Sequence, residues 1–403
     1  MSNPSRLLQA YAEPHQFEPL LPRKQVHDLG IRSRSVVEAS LRLQGALHAS
    51  TRESLRGLVR SMNSYYSNRI EGQSTHPVNI ERALRADFSD RPEVARRQRL
   101  ALAHIDAEKA LEQQCAGERH ALSSAFLARA HSSLYGGLPA EDRQAEQGQT
   151  VEPGALRQQD VAVYRHQAPT WQSVPAFLAR ADEVYARDWS LDDLLVAIAC
   201  AHHRGAWVHP FVDGNGRAVR LQTHCALFAL SGGLWSVNRG LARNREAYYM
   251  HLSNADMPQH GDLDGRGNLS ERMLVKWCEF FMETCEDQVS FMSRMLSLGD
   301  FRKRLEALVL VRSATQGASE YRGEVVIALH HLFAAGPISR GDFIQLTGLA
   351  ERTGRRVLSR LLADGLLVSD SPKGEVRLGF PIDALGVLFP NLYAEASTDP
   401  GLE

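Results

Sequence analysis

Between His209 and Arg220 the chain reads HPFVDGNGRAVR, which puts a histidine, a carboxylate, two glycines, an asparagine and two arginines side by side. His209 is the one group there whose ordinary pKa suits taking a proton near neutral pH. Asp213 is a hard oxygen donor of the type Mg²⁺ takes while it also holds phosphates. Gly214 and Gly216 let backbone approach a ligand closely, and Asn215 falls where a second helix starts. The free N–H groups of a helix N-terminus make an anion site. Arg217 and Arg220 add fixed positive charge for phosphate oxygens. This is the equipment for attack by a hydroxyl on a Mg²⁺-bound phosphate ester. His209 takes the proton, and the loop and arginines stabilise the developing charge. No GK[ST] follows the glycines, so the loop is not a Walker A loop.

A second short stretch, SNRIEG from Ser67 to Gly72, ends a helical pattern. Ser50-Thr51-Arg52-Glu53 reads as a capping box that opens this helix. Leu55, Leu58, Val59, Met62 and Tyr66 follow at helical spacing, and Gly72 is a natural stop. Glu71 falls in the last turn, where the helix dipole disfavours a negative charge. A carboxylate there gains from a cationic partner elsewhere in the fold.

The elements that must position these residues are mostly helices. Helical periodicity dominates, and strand-like alternation is confined to short stretches. SLDDLLVAIACAHHRGAWV, with Ser190 as N-cap, predicts a strongly apolar central helix that runs directly into the loop at His209. AVRLQTHCALFALSG resumes the helical pattern after it. Val161 and Val163 alternate in ALRQQDVAVYRHQ, the mark of a short hairpin. His202 and His203 read as core histidines rather than metal ligands, since no carboxylate or histidine lies at matching spacing.

The chain has 403 residues, 43% hydrophobic and 23% charged, a globular composition long enough for two or three domains. A formal net charge of -1 argues against a wholly basic nucleic-acid binder. No apolar run is long enough for a membrane span, and no signal peptide is recognised. Cys115, Cys200, Cys225, Cys278 and Cys285 are scattered, and an odd count is a poor disulfide framework. The expected compartment is reducing cytoplasm. The expected organisation is an N-terminal helical region over residues 1–115, a core over 116–295, a linker helix over 296–319, a C-terminal domain over 320–393 and a tail over 394–403. The C-terminal domain shows three short helical patterns and then two strands about a Pro-Lys-Gly turn, the sequence shape of a winged helix-turn-helix.

HPFVDGNGRAVR resembles the signature of the Fic family, HxFx(D/E)GNGRxxR, at every fixed position. The resemblance implies a mainly α fold, a Fic-type helical core with a short β-hairpin flap. It also implies a protein adenylyltransferase, which moves AMP from ATP to a Ser, Thr or Tyr hydroxyl of a target protein. His209 would be the base and Asp213 the Mg²⁺ ligand. Gly214, Asn215 and Gly216 would line the anion hole, Arg217 and Arg220 would hold the β- and γ-phosphates, and Phe211 would anchor the loop. The stretch from Pro153 to Val163 is similar to the family's flap, with Arg157, Val161 and Val163 as target-docking residues. Tyr248 and Tyr249 are candidates for the adenine pocket. Ser67, Glu71 and Gly72 match the family's inhibitory motif (S/T)xxxE(G/N), in which the glutamate pairs with the second arginine, here Arg220. Gly216 is intact where a kinase-like branch carries lysine, which favours nucleotidyl over phosphoryl transfer.

The expected partners are a target protein with a hydroxyl side chain, including this chain itself, a second copy in a homodimer, and no membrane. Arg352, Arg355, Arg356 and Arg360 give the third C-terminal helix a basic face suited to DNA. Winged helices also serve as protein contacts, so that domain reads either way. Two rivals remain open at this level: a de-adenylylase using the same site, and a DNA-binding regulator whose core only senses nucleotide.

Overall fold

The structure is a computed structural model that describes residues 11–115, 120–145, 148–163, 166–315 and 320–396. It is mainly α-helical, with two short antiparallel strand pairs among the described residues. In chain order the helices are α1 (Val26–Gly45), α2 (Ala49–Ile70), α3 (Pro77–Leu84), α4 (Pro92–Cys115) and α5 (Ser124–Gly136). After the strands β1 (Ala162–Val163) and β2 (His166–Gln167) come α6 (Val174–Tyr185), α7 (Leu191–Val208), α8 (Asn215–Ser231), α9 (Asn238–Arg243), α10 (Arg245–Ala255), α11 (Glu271–Met295) and α12 (Leu298–Thr315). The last part holds α13 (Val325–Ala335), α14 (Arg340–Thr347), α15 (Glu351–Ala363), β3 (Leu367–Val368), β4 (Arg377–Leu378) and α16 (Ile382–Leu388). No described helix is long and apolar enough to cross a membrane, and all five cysteines are free.

Helix α7 is the centre. Its residues from Leu195 to Arg204 are all buried, so it is covered on every side. The Ser190 side chain accepts the Asp193 N–H and caps its start. α1, α6, α8 and α11 pack around it, and the Trp277 indole N–H donates to the Ala199 carbonyl at 2.6 Å.

Helix α2 begins two residues earlier than the sequence pattern suggests. Its cap is His48, whose Nδ1 accepts the Ser50 N–H at 3.3 Å, so Ser50 to Glu53 lie inside the helix and form no capping box. The C-terminal half of α2 is buried all round, Asn63 to Asn68 without interruption. Most of its polar groups are hydrogen-bonded outward, as burial favours, while Asn63 Oδ1 and Asn68 Nδ2 have no partner. The Ser64 hydroxyl donates to the Ala101 carbonyl on α4, and the Tyr66 hydroxyl donates to the Leu392 carbonyl near the C-terminus.

In the C-terminal part, α13, α14 and α15 are followed by the β3–β4 pair, in register Leu367 to Leu378 and Val368 to Arg377. A bridge from Ile338 to Val376 ties the strands to the start of α14. This unit packs on α2: the Thr51 hydroxyl donates to the Phe333 carbonyl at 3.0 Å, and the Tyr393 ring meets Tyr65 edge-on at 5.4 Å.

Candidate active site

The loop between α7 and α8 is built by side chains that turn back on its own backbone. His209 ends α7 in the left-handed region, φ 50°, an uncommon conformation for a residue with a side chain. Arg157 holds it there. Its Nε donates to the His209 carbonyl at 2.8 Å, its Nη1 to Gln159 O at 2.7 Å and its Nη2 to Pro169 O at 2.5 Å. Asn215 closes the loop: its Oδ1 accepts the Phe211 N–H and its Nδ2 donates to the Phe211 carbonyl, both at 2.9 Å. The Phe211 ring stacks on His131 at 4.0 Å. His131 Nδ1 accepts the Gly154 N–H, so Nε2 carries the proton and donates to the Asp213 carbonyl at 3.0 Å. Burial keeps this imidazole neutral down to about 4.

Helix α8 starts at Asn215 because Gly214 takes φ 76°, and a Cβ there would lie 2.3 Å from the Tyr135 ring. The first backbone bond of the turn runs from Ala218 N–H to Gly214 O at 2.9 Å. The N–H groups of Asn215, Gly216 and Arg217 therefore precede the helical ladder and face out of its end. Asn215 brings its backbone N–H to an anion there, because its side chain is already engaged. Asp213 stands beside this turn, with Oδ1 accepting the Gly214 N–H. Asp213 and Arg217 also line a 410 Å³ cleft with Gln73, Tyr135 and Arg97.

Both arginines of the motif are buried and tied to α2. Arg217 Nε donates to Asn68 Oδ1 at 3.1 Å, Nη1 to the Tyr135 hydroxyl at 3.3 Å and Nη2 to Gln73 Oε1 at 2.5 Å. Arg220 is 1% exposed. Its Nε donates to the Ser67 hydroxyl at 3.0 Å, and its Nη2 donates to Ser67 O at 3.1 Å and to Glu71 Oε1 at 2.6 Å. Glu71 is the C-cap of α2, so its carboxylate reaches across from the end of one helix to the start of another. A Cβ on Gly216 would sit 2.5 Å from Glu71 Oε1. The carboxylate thus lies against the N-terminal turn of α8, where an incoming anion would have to sit. Burial pushes the Glu71 pKa up, but the charges of Arg220 and Arg217 outweigh it and hold the group below the ordinary carboxylate range.

His209 is held well below an ordinary imidazole, to about 4, first by burial and then by the charges of His166 and Arg157. The neutral imidazole carries one unprotonated nitrogen that can accept a proton.

The hairpin expected at Val161 and Val163 forms, with Ala162 opposite Gln167 and Val163 opposite His166. The Val163 side chain lies outside the described residues. Arg157 differs from its expected place in target docking. It is 1% exposed and points inward under the loop at His209, because its carbonyl partners are buried there. Tyr248 also differs from a pocket residue: it is 2% exposed, packs on Trp277, and its hydroxyl meets His202 Nε2 at 2.9 Å. Tyr249 is half-buried, and its hydroxyl donates to the Ile70 carbonyl beside Glu71. Close to that point, Arg69, Gly72, Ser74, Arg243, Asn244 and Arg245 line a 660 Å³ recess. Sequence reasoning passed over Asn68, Gln73, His131 and Tyr135. Of these only Asn68 lies inside a stretch already singled out.

Residues 121–227 match the model of the Fic/DOC family. A Fic family protein from Desulfovibrio desulfuricans is similar over 91% of this chain and 98% of its own, at 20% identity and a TM-score of 0.50, a likeness of fold. A Fic domain containing signaling protein from Bacteroides thetaiotaomicron aligns over 65% of this chain and 96% of its own, with 15% identity and a TM-score of 0.48. A segment of Fic-1 from C. elegans aligns over 64% of this chain and 69% of its own, with 20% identity and a TM-score of 0.45. No curated protein matches the chain.

Proposed function

We propose that this protein is a self-restrained adenylyltransferase that moves AMP from ATP to a Ser, Thr or Tyr hydroxyl of a target protein. The observation that supports this best is the convergence of His209, Asp213, the open N-terminus of α8 and the arginines 217 and 220 on one turn, with Glu71 bound to Arg220 at 2.6 Å. The unprotonated nitrogen of His209 takes the proton of the attacking hydroxyl. The oxygen bonds to the α-phosphorus, and the bond to the leaving pyrophosphate breaks. The N–H groups at the start of α8 receive the charge that develops on the α-phosphate oxygens. Arg217 and Arg220 hold the pyrophosphate side, which Arg220 does only after it parts from Glu71.

Asp213 offers the hard oxygen ligand that suits Mg²⁺, which when bound neutralises phosphate charge. Its half-buried place next to the anion turn fits that role. The β1–β2 hairpin offers an edge along which a target segment can align by strand addition. Tyr249 and the recess beside Gly72 are the proposed purine site, and Tyr248 serves as the floor behind Arg220. The three helices and hairpin of the C-terminal part are proposed as a winged helix-turn-helix. Arg355 pairs there with Glu351, Arg356 with Glu320 and Arg360 with Asp364, which offsets the basic face expected to meet DNA.

The test uses ATP labelled at either the α- or the γ-phosphate, with purified protein and Mg²⁺. Label retained on protein from the α-phosphate alone is expected. Retention from the γ-phosphate would mean phosphoryl transfer and overturn the reading, as would retention of neither in a Glu71→Gly variant.

A further inference from the structure

Behind the arginines, on the next turns of the same helices, lies a second cluster that the transfer reaction does not use. His104, Glu108 and Glu112 repeat every four residues on one face of α4, and all three are buried. His224 on α8 meets them, one turn beyond Arg220. Its Nε2 lies 2.9 Å from Glu112 Oε1 and 3.4 Å from Glu108 Oε1. One ligand atom from each of Glu108, Glu112 and His224 falls within 4.8 Å of the others. We propose that Glu108, Glu112 and His224 bind a divalent transition-metal ion, with His104 beside it.

Two independent features point to a missing cation. The first is satisfaction. Neither ring nitrogen of His104 has a hydrogen-bond partner, although the residue is fully buried, and Glu108 Oε2, 3.8 Å from His104 Nδ1, has none either. Buried polar atoms left without partners are costly, and an ion is one of the few things that explains several at once. The second is charge. Two buried carboxylates face one arginine, Arg60, itself shared with Glu53 at 3.9 Å, and their other partner is His224, whose proton a metal ion would replace.

The surroundings suit ligation. Arg60 holds Glu112 Oε2 through Nε at 2.9 Å and Nη2 at 2.6 Å, leaving Oε1 to face His224. Asn63 Nδ2 donates to Glu108 Oε1 at 2.8 Å. Such outer hydrogen bonds orient ligands in metal sites. Metal–ligand bonds of about 2.0–2.2 Å bring neighbouring donors to separations like those seen here. Two carboxylates with imidazole and no thiolate suit Zn²⁺, Mn²⁺ or Fe²⁺. The ion would join α4 to α8, the helix that carries Arg217 and Arg220, with Asn63 and Arg60 of α2 pressed against it.

The full chain is purified without chelator and its metal content measured by mass spectrometry. It is then stripped and titrated with Zn²⁺, and separately with Co²⁺ while the visible spectrum is followed. About one equivalent per chain is expected, and it should persist in Asp213→Ala, which removes the active-site ligand. His224→Gln and Glu108→Gln should each weaken Zn²⁺ binding by at least about ten-fold and abolish the Co²⁺ bands, with circular dichroism confirming the helical fold. Wild-type protein that takes up no Zn²⁺, Mn²⁺ or Fe²⁺ overturns the proposal, whether or not the variants fold. Binding that survives His224→Gln and disappears in Asp213→Ala overturns it equally.

Discussion

Replacing Glu71 with glycine removes the one carboxylate that touches Arg220 and leaves the rest of its shell in place. Ser67 still offers its hydroxyl and carbonyl to the guanidinium. What is lost is a single charge-assisted bond at 2.6 Å between a fully buried arginine and a glutamate whose side chain is 30% exposed. A hydrogen bond to a charged group is worth about 1.5–3 kcal/mol net, and the partial exposure of Glu71 keeps the pair well below the interior limit. At 1.4 kcal/mol per decade, about 2–3 kcal/mol corresponds to a roughly 30- to 150-fold rise in kcat/KM for adenylyl transfer. Glu71→Gln separates charge from bulk. The amide still fills the space over Gly216 and still bonds Arg220, so it should release only about ten-fold, since a neutral bond is worth about 0.5–1.5 kcal/mol. The assay is label transfer from α-labelled ATP to the chain itself and to lysate proteins, at ATP concentrations below saturation. The expected order is glycine above glutamine above wild type, with Glu71→Gly/His209→Ala silent. A Glu71→Gly protein no faster than wild type would refute the restraint, and a double variant still active would refute the role of His209.

His209 is held neutral down to about 4, and Glu71 is among the charges that raise it, so transfer by Glu71→Gly should stay level from pH 8 to 5 and fall off only at or below about 4. An inflection at the ordinary imidazole value of about 6.5 would contradict this. Burial also keeps His202 neutral down to about 3. In the unfolded chain it protonates near 6.5, so the stability it contributes is intact above that value and is lost as pH falls towards 3. Thermal midpoints in His202→Gln should therefore fall less steeply below pH 6.5 than in wild type, and parallel curves would argue against it. Arg157→Lys keeps the charge but loses the planar fork that reaches four carbonyls. Transfer should drop about 100-fold through misplacement of His209, with helical content unchanged; wild-type rates would show that the carbonyl contacts do not position the base. Tyr66→Phe should lower stability by about 1 kcal/mol or more, read from urea midpoints, by removing the hydroxyl shared between the Glu395 carboxylate at 2.6 Å and the Leu392 carbonyl at 3.0 Å. No loss would mean that these bonds contribute nothing to holding the C-terminal part on α2.

The central loop was readable from sequence because its parts are local. Gly214 must turn, Asn215 must start a helix, and Asn215 reaches Phe211 only four residues back. The same holds for α7, whose cap Ser190 and apolar run lie in one stretch. Glu71 was readable by a different route: a carboxylate at the end of a helix implies a distant cation, and the resemblance to the inhibitory motif implied Arg220. Arg157 and Tyr248 were misplaced because their partners are far off in sequence. A charged or phenolic residue between short strands or on a helix defaults to the surface, and nothing local announces that its partners are the carbonyls under His209 or the ring of His202. The metal cluster was missed for the same reason. Its three α4 residues show regular spacing, but His224 is 112 residues from Glu112 and acquires meaning only when α8 packs on α4.

The buried polar half of α2 is where these distant pairings accumulate. Asn63 meets Glu108, Ser67 meets Arg220, Asn68 meets Arg217, and Tyr66 meets the C-terminal part. A helix fixed on so many sides cannot swing away cheaply, because every displaced bond leaves a buried group unpaired. Glu71, at the C-cap with a side chain 30% exposed, is under less of that constraint. Its restraint on Arg220 is therefore most readily lifted by turning one side chain, with the helix that carries it left in place.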